Sequence, residues 1–319
     1  MGIVAVLGSL ITDLVTRTPR LPQPGETVLG DDFSTFLGGK GINQAIVAAR
    51  QGAKVTMIGR VGTDTYGDNF FPVLMHEGID SAHVTRDPTV GTGVSLLVVS
   101  TESGQNMIVA NPRANLSVTA EAVETALHAV HKQRQADEKV IFLTQCETSA
   151  VSYEAGIRVA HELGMTTIWN VAPIPRGPLL NDIFKLVDVL VVNETEAASL
   201  AQSPVTSVET AQSAAERLLM HGPQHIIITL GAQGCLWSTG ADAKIAHHIE
   251  NAFAVKAIDA TAAGDAFCGA LAASLASGMP MATALRRANA AGAVAVTRMG
   301  AIASLPSLAE IEALLQQSR

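Results

Sequence analysis

The chain has 319 residues, enough for one large domain or two smaller ones, and 48% of them are hydrophobic against 16% charged. That balance excludes disorder, which needs little apolar material and a high net charge. With 21 basic and 29 acidic residues the net charge is −8, and without a lysine- or arginine-rich run no nucleic-acid partner is expected.

Aromatics are only 4%, while small and branched aliphatics and 27 glycines dominate. Such a composition suits buried parallel strands under closely packed helices. In chain order, Ile3 to Leu7 reads as a strand. The N-terminus has no basic segment and Asp13 interrupts its apolar run, so a signal peptide is not expected. Val15 to Phe36 is turn-rich, with Pro19, Pro22, Pro24, Gly25 and Gly30. Gly41 to Arg50 reads as a helix stopped by Gly52, Val55 to Gly59 as a strand, and about Tyr66 to Glu77 as a helix. Gly93 to Val99 and Asn106 to Ala110 flank Glu102-Ser103-Gly104 as a hairpin.

Short apolar strands follow at Lys139 to Leu143, Thr166 to Trp169, Val187 to Val192 and Ile226 to Leu230. Helical segments separate them, which is the pattern of crossover units in a parallel sheet. Ala266 to Leu285 is uncharged and long enough to span a bilayer, but Gly278-Met279-Pro280 breaks it into two buried helices. A soluble, cytoplasmic protein without a membrane partner is expected. Cys146, Cys235 and Cys268 are scattered without metal-ligand spacing, as buried thiols in a reducing compartment would be.

Several chemistries lack their motif. Gly39-Lys40 is followed by Gly41 rather than a hydroxyl residue, so there is no P-loop. A dinucleotide fingerprint after the first strand, a Gly-x-Ser-x-Gly elbow and a His-Glu-x-x-His helix are likewise missing.

Asp259-Ala260-Thr261-Ala262-Ala263-Gly264-Asp265 leads straight into an alanine-rich helix. Small side chains at Ala262, Ala263 and Gly264 leave backbone amides unshielded at a helix N-terminus, which is an anion site. An aspartate at position 265 can accept a proton from a sugar hydroxyl or can cap an ordinary helix. Gly38-Gly39-Lys40-Gly41-Ile42-Asn43-Gln44 opens the early helix. Its glycines admit a ligand close to the backbone, and Lys40 and Asn43 share a helical face that can present donors to a polyol. Asp13, Glu147, Asn170, the pair Asn193 and Glu196, and the run Thr229 to Gly234 each follow a predicted strand, where open α/β sheets place ligands.

These motifs resemble the ribokinase family of carbohydrate kinases (PfkB type), nearly from end to end. The signatures are Gly-Gly-Lys-Gly-x-Asn at Gly38 to Asn43 and Asp-x-Thr-x-Ala-Gly-Asp at Asp259 to Asp265. Between them lie Asn-x-x-Glu at Asn193 to Glu196 and Thr-Leu-Gly-x-x-Gly at Thr229 to Gly234. The resemblance implies a three-layer α/β fold with a mostly parallel central sheet, spanning 1–319 as one domain. A small antiparallel sheet from about 14–36 and 92–111 would form a lid, and covering its exposed edge against a twin would give a homodimer.

The implied activity is transfer of the γ-phosphoryl group of ATP to a primary hydroxyl of a small-molecule sugar, a pentose with D-ribose leading. Asp265 would be the base, and the amides of Ala262, Ala263 and Gly264 would hold the transferred group. Ile11, Asp13, Gly39, Lys40, Gly41, Asn43 and Glu147 would face the sugar. Asn193, Thr229, Gly231, Gly234, Gly264 and Asn289 would line the ATP site. Asn193 and Glu196 would place Mg²⁺ through water. Asp259, Thr261 and Ser304, with main-chain oxygens near Ala295, Arg298 and Gly300, would hold K⁺.

Two positions depart from the family pattern. Ile11 stands where an amide touches the sugar, which would suit 2-deoxyribose, another sugar or a nucleoside. Arg113 stands where glycine precedes Ala-Asn; it could reach a substrate hydroxyl or carboxylate or point to solvent, and solvent is favoured. A non-catalytic sugar sensor on the same scaffold is the alternative of another class, and the intact Asp265 argues against it.

Overall fold

The computed structural model describes residues 2–175, 177, 181–241 and 244–317. The strands are β1 (Ile3–Leu7), β2 (Ile11–Thr18), β3 (Asp32–Gly38), β4 (Lys54–Gly62), β5 (Asp80–Asp87), β6 (Gly93–Ser100), β7 (Asn106–Asn111), β8 (Val140–Thr144), β9 (Thr166–Asn170), β10 (Val189–Asn193), β11 (His225–Thr229), β12 (Cys235–Ala241) and β13 (Lys244–Glu250). The helices are α1 (Lys40–Arg50), α2 (Thr65–Asp68), α3 (Phe70–His76), α4 (Ala120–Gln133), α5 (Ala150–Glu162), α6 (Asn181–Phe184), α7 (Glu194–Ala201), α8 (Val208–Leu219), α9 (Ala263–Ala276), α10 (Met281–Ala295) and α11 (Leu308–Gln317).

Nine strands form the central sheet in the order β13-β12-β11-β10-β9-β8-β1-β4-β5. From β11 to β5 every pair is parallel, and the β11–β12 and β12–β13 pairs at one edge are antiparallel. The apolar runs exist because both faces of this sheet are covered. Val4 and Val6 of β1 join one core with Ile46 of α1, Leu271 of α9 and Leu285 of α10. Ile3, Ala5 and Leu7 of the same strand join the other, with Leu127 of α4, Ile157 of α5 and Leu218 of α8. Period-two alternation thus feeds two cores and produces three layers.

The remaining strands make a separate sheet in the order β3-β2-β6-β7. Its β2–β3 and β6–β7 pairs are antiparallel, while the central β2–β6 pair is parallel. Ile11 at the start of β2 pairs with Gly38 at the end of β3, so the sheet takes in Asp13, which lies inside β2 rather than in a loop after β1. No helix among the described residues is long and apolar enough to cross a membrane. The uncharged stretch from Ala266 divides into α9 and α10 about Gly278, as its turn signal requires.

Candidate active site

The site is built where α1 and α9 cross above the ends of the parallel strands. At Gly41 a Cβ would lie 2.4 Å from the Gly8 carbonyl carbon, so only glycine lets the start of α1 touch the end of β1. Gly39 caps the helix at φ 103 without a side-chain bond. The cap comes instead from Glu147, beyond β8, which accepts the Lys40 backbone N–H at 3.0 Å and the Ser9 hydroxyl. A carboxylate there also meets the positive end of the helix dipole.

Further along, Gly269 of α9 lies so close to the Gln44 carbonyl that a Cβ would stand 2.4 Å from its oxygen. This approach brings α1 side chains onto Asp265, which is buried. Asn43 Nδ2 donates to its Oδ2 at 3.0 Å, and Gln44 Nε2 donates to its Oδ1 at 3.0 Å. The charge of Asp265 raises the pKa of Lys40 above the ordinary lysine value, against the effect of burial and with help from Glu147 and Glu196. Lys40 therefore stays protonated beside the aspartate. Asn43 Oδ1 is buried with no hydrogen-bond partner, an acceptor that a ligand hydroxyl can satisfy.

At the start of α9, Ala262 is held in the left-handed region at φ 59. An alanine there costs about 1–2 kcal/mol, a strain found where the chain must aim specific groups. The Ala263 N–H turns back to the Ala260 carbonyl at 3.3 Å. Of the three amides expected to face an anion, this one is therefore engaged, and Gly264 and Asp265 supply the first-turn amides that a helix leaves unpaired. A Cβ on Gly264 would meet nothing within 4 Å.

Two cavities join at that glycine. The smaller, about 70 Å³, is lined by Lys40, Asn170, Asn193, Glu196, Thr229, Gly264, Asp265 and Cys268. The other, about 430 Å³, has Thr229, Gly231, Gly234, Gly264 and Asn289 on its wall beside Phe253, Val255 and Val296. Asn289 Nδ2 donates to the Glu250 carbonyl at 2.9 Å, so it anchors the wall. A third cavity, about 630 Å³ between α7 and α8, shares no lining residue with these two.

Asn193 and Glu196 form a capping box at α7. Asn193 Oδ1 accepts the Glu196 N–H at 2.8 Å, and Glu196 Oε2 accepts the Asn193 N–H at 2.8 Å. The capping box thus also fixes the Glu196 carboxylate at the cavity wall. Burial raises its pKa, the Asn193 N–H and Lys40 oppose that, and Asp265 adds to it.

On the second sheet, Asp13 and Ile11 lie on the same face of β2 by alternation. Burial pushes the Asp13 carboxyl up to about 6; a bond from Ser95 works against this and the Glu147 charge adds to it. Ile11 is buried.

Among the residues expected around K⁺, Asp259 Oδ1 accepts from the Thr261 N–H at 2.9 Å and hydroxyl at 2.6 Å, and its Oδ2 from the Gly300 N–H at 2.9 Å. These bonds outweigh burial and hold its pKa below the usual carboxylate value. The Ala295 carbonyl accepts the Arg298 N–H at 3.3 Å, Arg298 reaches Glu310 at 2.8 Å, and Ser304 donates to the Ala301 carbonyl at 2.8 Å. The structure therefore joins Asp259, Thr261 and Gly300 through the Asp259 carboxylate. Among the described residues no three His, Cys, Asp or Glu side chains converge as a metal-ligand set. Arg113 is exposed, with its guanidinium over Gly91 and a 3.4 Å contact to the Thr92 carbonyl.

Gln44, Gln145, Ser9 and Ser95 were not singled out from the sequence as site residues. The available signal was local: Gln44 adjoins Asn43, and Gln145 is a buried amide two places before Glu147.

The model of the family described as pfkB family carbohydrate kinase matches residues 1–308. A ribokinase from Schizosaccharomyces pombe is 38% identical over 319 residues, covering 97% of this chain and 96% of its own length. A deoxyribokinase from Salmonella typhi is 31% identical over 312 residues, covering 98% of each. A ribokinase from Arabidopsis thaliana, solved with ribose and ATP, superposes with a TM-score of 0.86 at 26% identity, over 99% of this chain and 98% of that one. These whole-length matches agree with a buried aspartate at a helix start beside a glycine that lines both cavities: the chain belongs to the pfkB family of carbohydrate kinases.

Proposed function

We propose that this kinase transfers the γ-phosphoryl group of ATP to the primary hydroxyl of a pentose, with D-ribose the leading acceptor. The observation that carries the reading is Asp265, buried and doubly hydrogen-bonded on the wall of the smaller cavity, next to the Gly264 that both cavities share. The ribokinase relatives, one of them solved with ribose and ATP, support the acceptor and the donor.

ATP occupies the 430 Å³ cavity, its base against Phe253, Val255 and Val296 and its phosphates by Gly231, Gly234 and Thr229. The sugar lies over Gly39 and Gly41, its hydroxyls met by Asp13, Glu147 and the unpartnered Asn43 Oδ1. Asp265 accepts the proton of the attacking hydroxyl as the new O–P bond forms and the bond to ADP breaks. In a largely dissociative transfer, charge grows on the phosphoryl oxygens, and the amides of Gly264 and Asp265 with the α9 dipole stabilise it. Lys40 balances the added negative charge.

Glu196 and Asn193 would hold Mg²⁺ through water, and a half-buried carboxylate whose charge is disfavoured fits a cation. When bound, that ion offsets phosphate charge. Asp259, Thr261, Gly300 and Ser304, with main-chain oxygens near Ala295 and Arg298, would hold K⁺ beside the same loop. The second sheet serves as the lid, since it carries Ile11, Asp13 and Gly38. Its outer strand leaves Met107, Ile108 and Val109 exposed at 52–59%, and a homodimer through the two lids covers them. Sedimentation as a monomer at micromolar concentration rejects that pairing.

One observation favours a second acceptor. Ile11, apolar and on the Asp13 face, offers no hydrogen bond to a hydroxyl, which suits 2-deoxyribose. ADP release measured against pentoses, deoxypentoses, hexoses and nucleosides, in K⁺ and in Na⁺, decides between them. Fastest turnover with D-ribose is expected, faster in K⁺. Tight sugar binding with no turnover under any condition would reject the kinase reading in favour of a sensor.

A further inference from the structure

Buried behind the reacting centre is a chain of side-chain amides. Gln145, just past the end of β8, and Gln44 of α1 are 1% and 0% exposed. Gln145 Nε2 donates to Gln44 Oε1 at 2.6 Å. Gln44 Nε2 donates in turn to Asp265 Oδ1 at 3.0 Å and to Asn170 Oδ1 at 3.1 Å. Asn170, at the end of β9, has its own Nδ2 on the Val191 carbonyl at 3.1 Å, so its oxygen is the end that faces Gln44.

Every link has one polarity. Reversing the Gln44 amide would set its oxygen against two other oxygens and its NH₂ against the NH₂ of Gln145. Gly8 makes room for the first link, since a Cβ there would stand 2.2 Å from Gln145 Oε1. The arrangement answers a problem specific to this site. A carboxylate in the first turn of a helix is drawn to that helix's own unpaired amides. Asp265 makes no such capping bond; Gln44 and Asn43 hold both its oxygens toward α1 instead.

We infer that Gln145 and Gln44 form a positioning relay that keeps Asp265 turned away from the amides of α9, leaving those amides for the transferred phosphoryl group. The relay rests on Asp265 being the base, as proposed above. It ties the ends of β8, β9 and β10 to that base through α1, so that the sheet fixes the carboxylate's orientation. Gln44 acts only through Asp265, and Gln145 only through Gln44.

Steady-state kinetics with D-ribose and ATP on full-length Gln44→Leu, Gln145→Leu and the double variant test it, each checked for folding by thermal melting. Gln44→Met, of similar length, replaces Gln44→Leu if that protein does not fold. Expected is a fall in kcat of about tenfold or more for Gln44→Leu, as for a displaced acid–base group, with both KM values within about threefold of wild type. Gln145→Leu should lose less, and the double variant should match Gln44→Leu alone, because the pair acts in series. Gln145→Glu, which cannot donate and so turns the Gln44 oxygen toward Asp265, should be slower than Gln145→Leu. Unchanged kcat in Gln44→Leu, losses that add in the double variant, or a loss confined to KM would overturn the relay. Asp265→Asn run alongside separates the two ideas: if it is inactive while Gln44→Leu is not impaired, only the relay falls, and if it turns over normally the assignment of the base falls.

Discussion

Asp13 carries a charge that the fold makes expensive. Its carboxyl is pushed from 3.8 to about 6, first by burial and then by Glu147, with Ser95 opposing. Between those two values the folded chain holds a proton that the unfolded chain has released, so this group's contribution to stability falls as pH rises from about 4 to 6. Sugar binding runs the other way, because the ionised carboxylate is the better acceptor for hydroxyls. KM for the acceptor should therefore rise as pH falls below about 6, and Asp13→Asn should remove that rise. A wild-type KM that stays flat from pH 7 to pH 5 would remove Asp13 from the sugar site.

Gly264 offers the converse separation of stability from chemistry. Its backbone is ordinary and a Cβ would meet no neighbour within 4 Å. Gly264→Ala should melt no lower than wild type, since alanine favours a helix by about 1 kcal/mol over glycine. Its methyl would nevertheless project where the two cavities join, and kcat/KM should fall about 10²-fold, as when an anion-stabilising donor is obstructed. A variant that keeps full activity would place the phosphoryl group elsewhere.

Between elements, the α1–α9 crossing decides the geometry of the Asp265 carboxylate. Gly269→Ala would put a methyl 2.4 Å from the Gln44 carbonyl oxygen, and one helix must yield. Such overpacking costs about 1–3 kcal/mol and carries Asp265 away from Asn43 and Gln44. Both a lower melting temperature and a lower kcat are expected, though residue 269 touches no substrate. An unaltered kcat would show that the crossing tolerates displacement.

Elements buried on both faces were legible in the sequence, because β1, β8, β10 and β11 read as unbroken apolar runs. The edge pair β12–β13 was not, since β13 is largely exposed and shows no such run. The segment from Tyr66 to Glu77 read as one helix but divides at Asn69 into α2 and α3. Val15 to Phe36 betrayed its turns by proline and glycine, but not that β2 already begins at Ile11 and carries Asp13 within the strand.

Across the whole molecule, the motifs at Gly38 to Asn43 and Asp259 to Asp265 were legible because each is contiguous and chemically unusual. What joins them was not: the bonds from Asn43 and Gln44 to Asp265 cross more than two hundred residues of chain. Likewise Asn-x-x-Glu announced a helix cap, but only the folded cavity shows that its carboxylate shares a wall with Lys40 and Asp265. No local pattern carries that convergence. Central to the proposed function is that Asp265, beside the Gly264 that lines both cavities, acts as the base. Its most direct test is single-turnover transfer by Asp265→Asn, with D-ribose and ATP binding measured by calorimetry on the same protein. Binding of both ligands within a few-fold of wild type, with transfer slowed by at least about 10²-fold, is the predicted result. Transfer at the wild-type rate would contradict it.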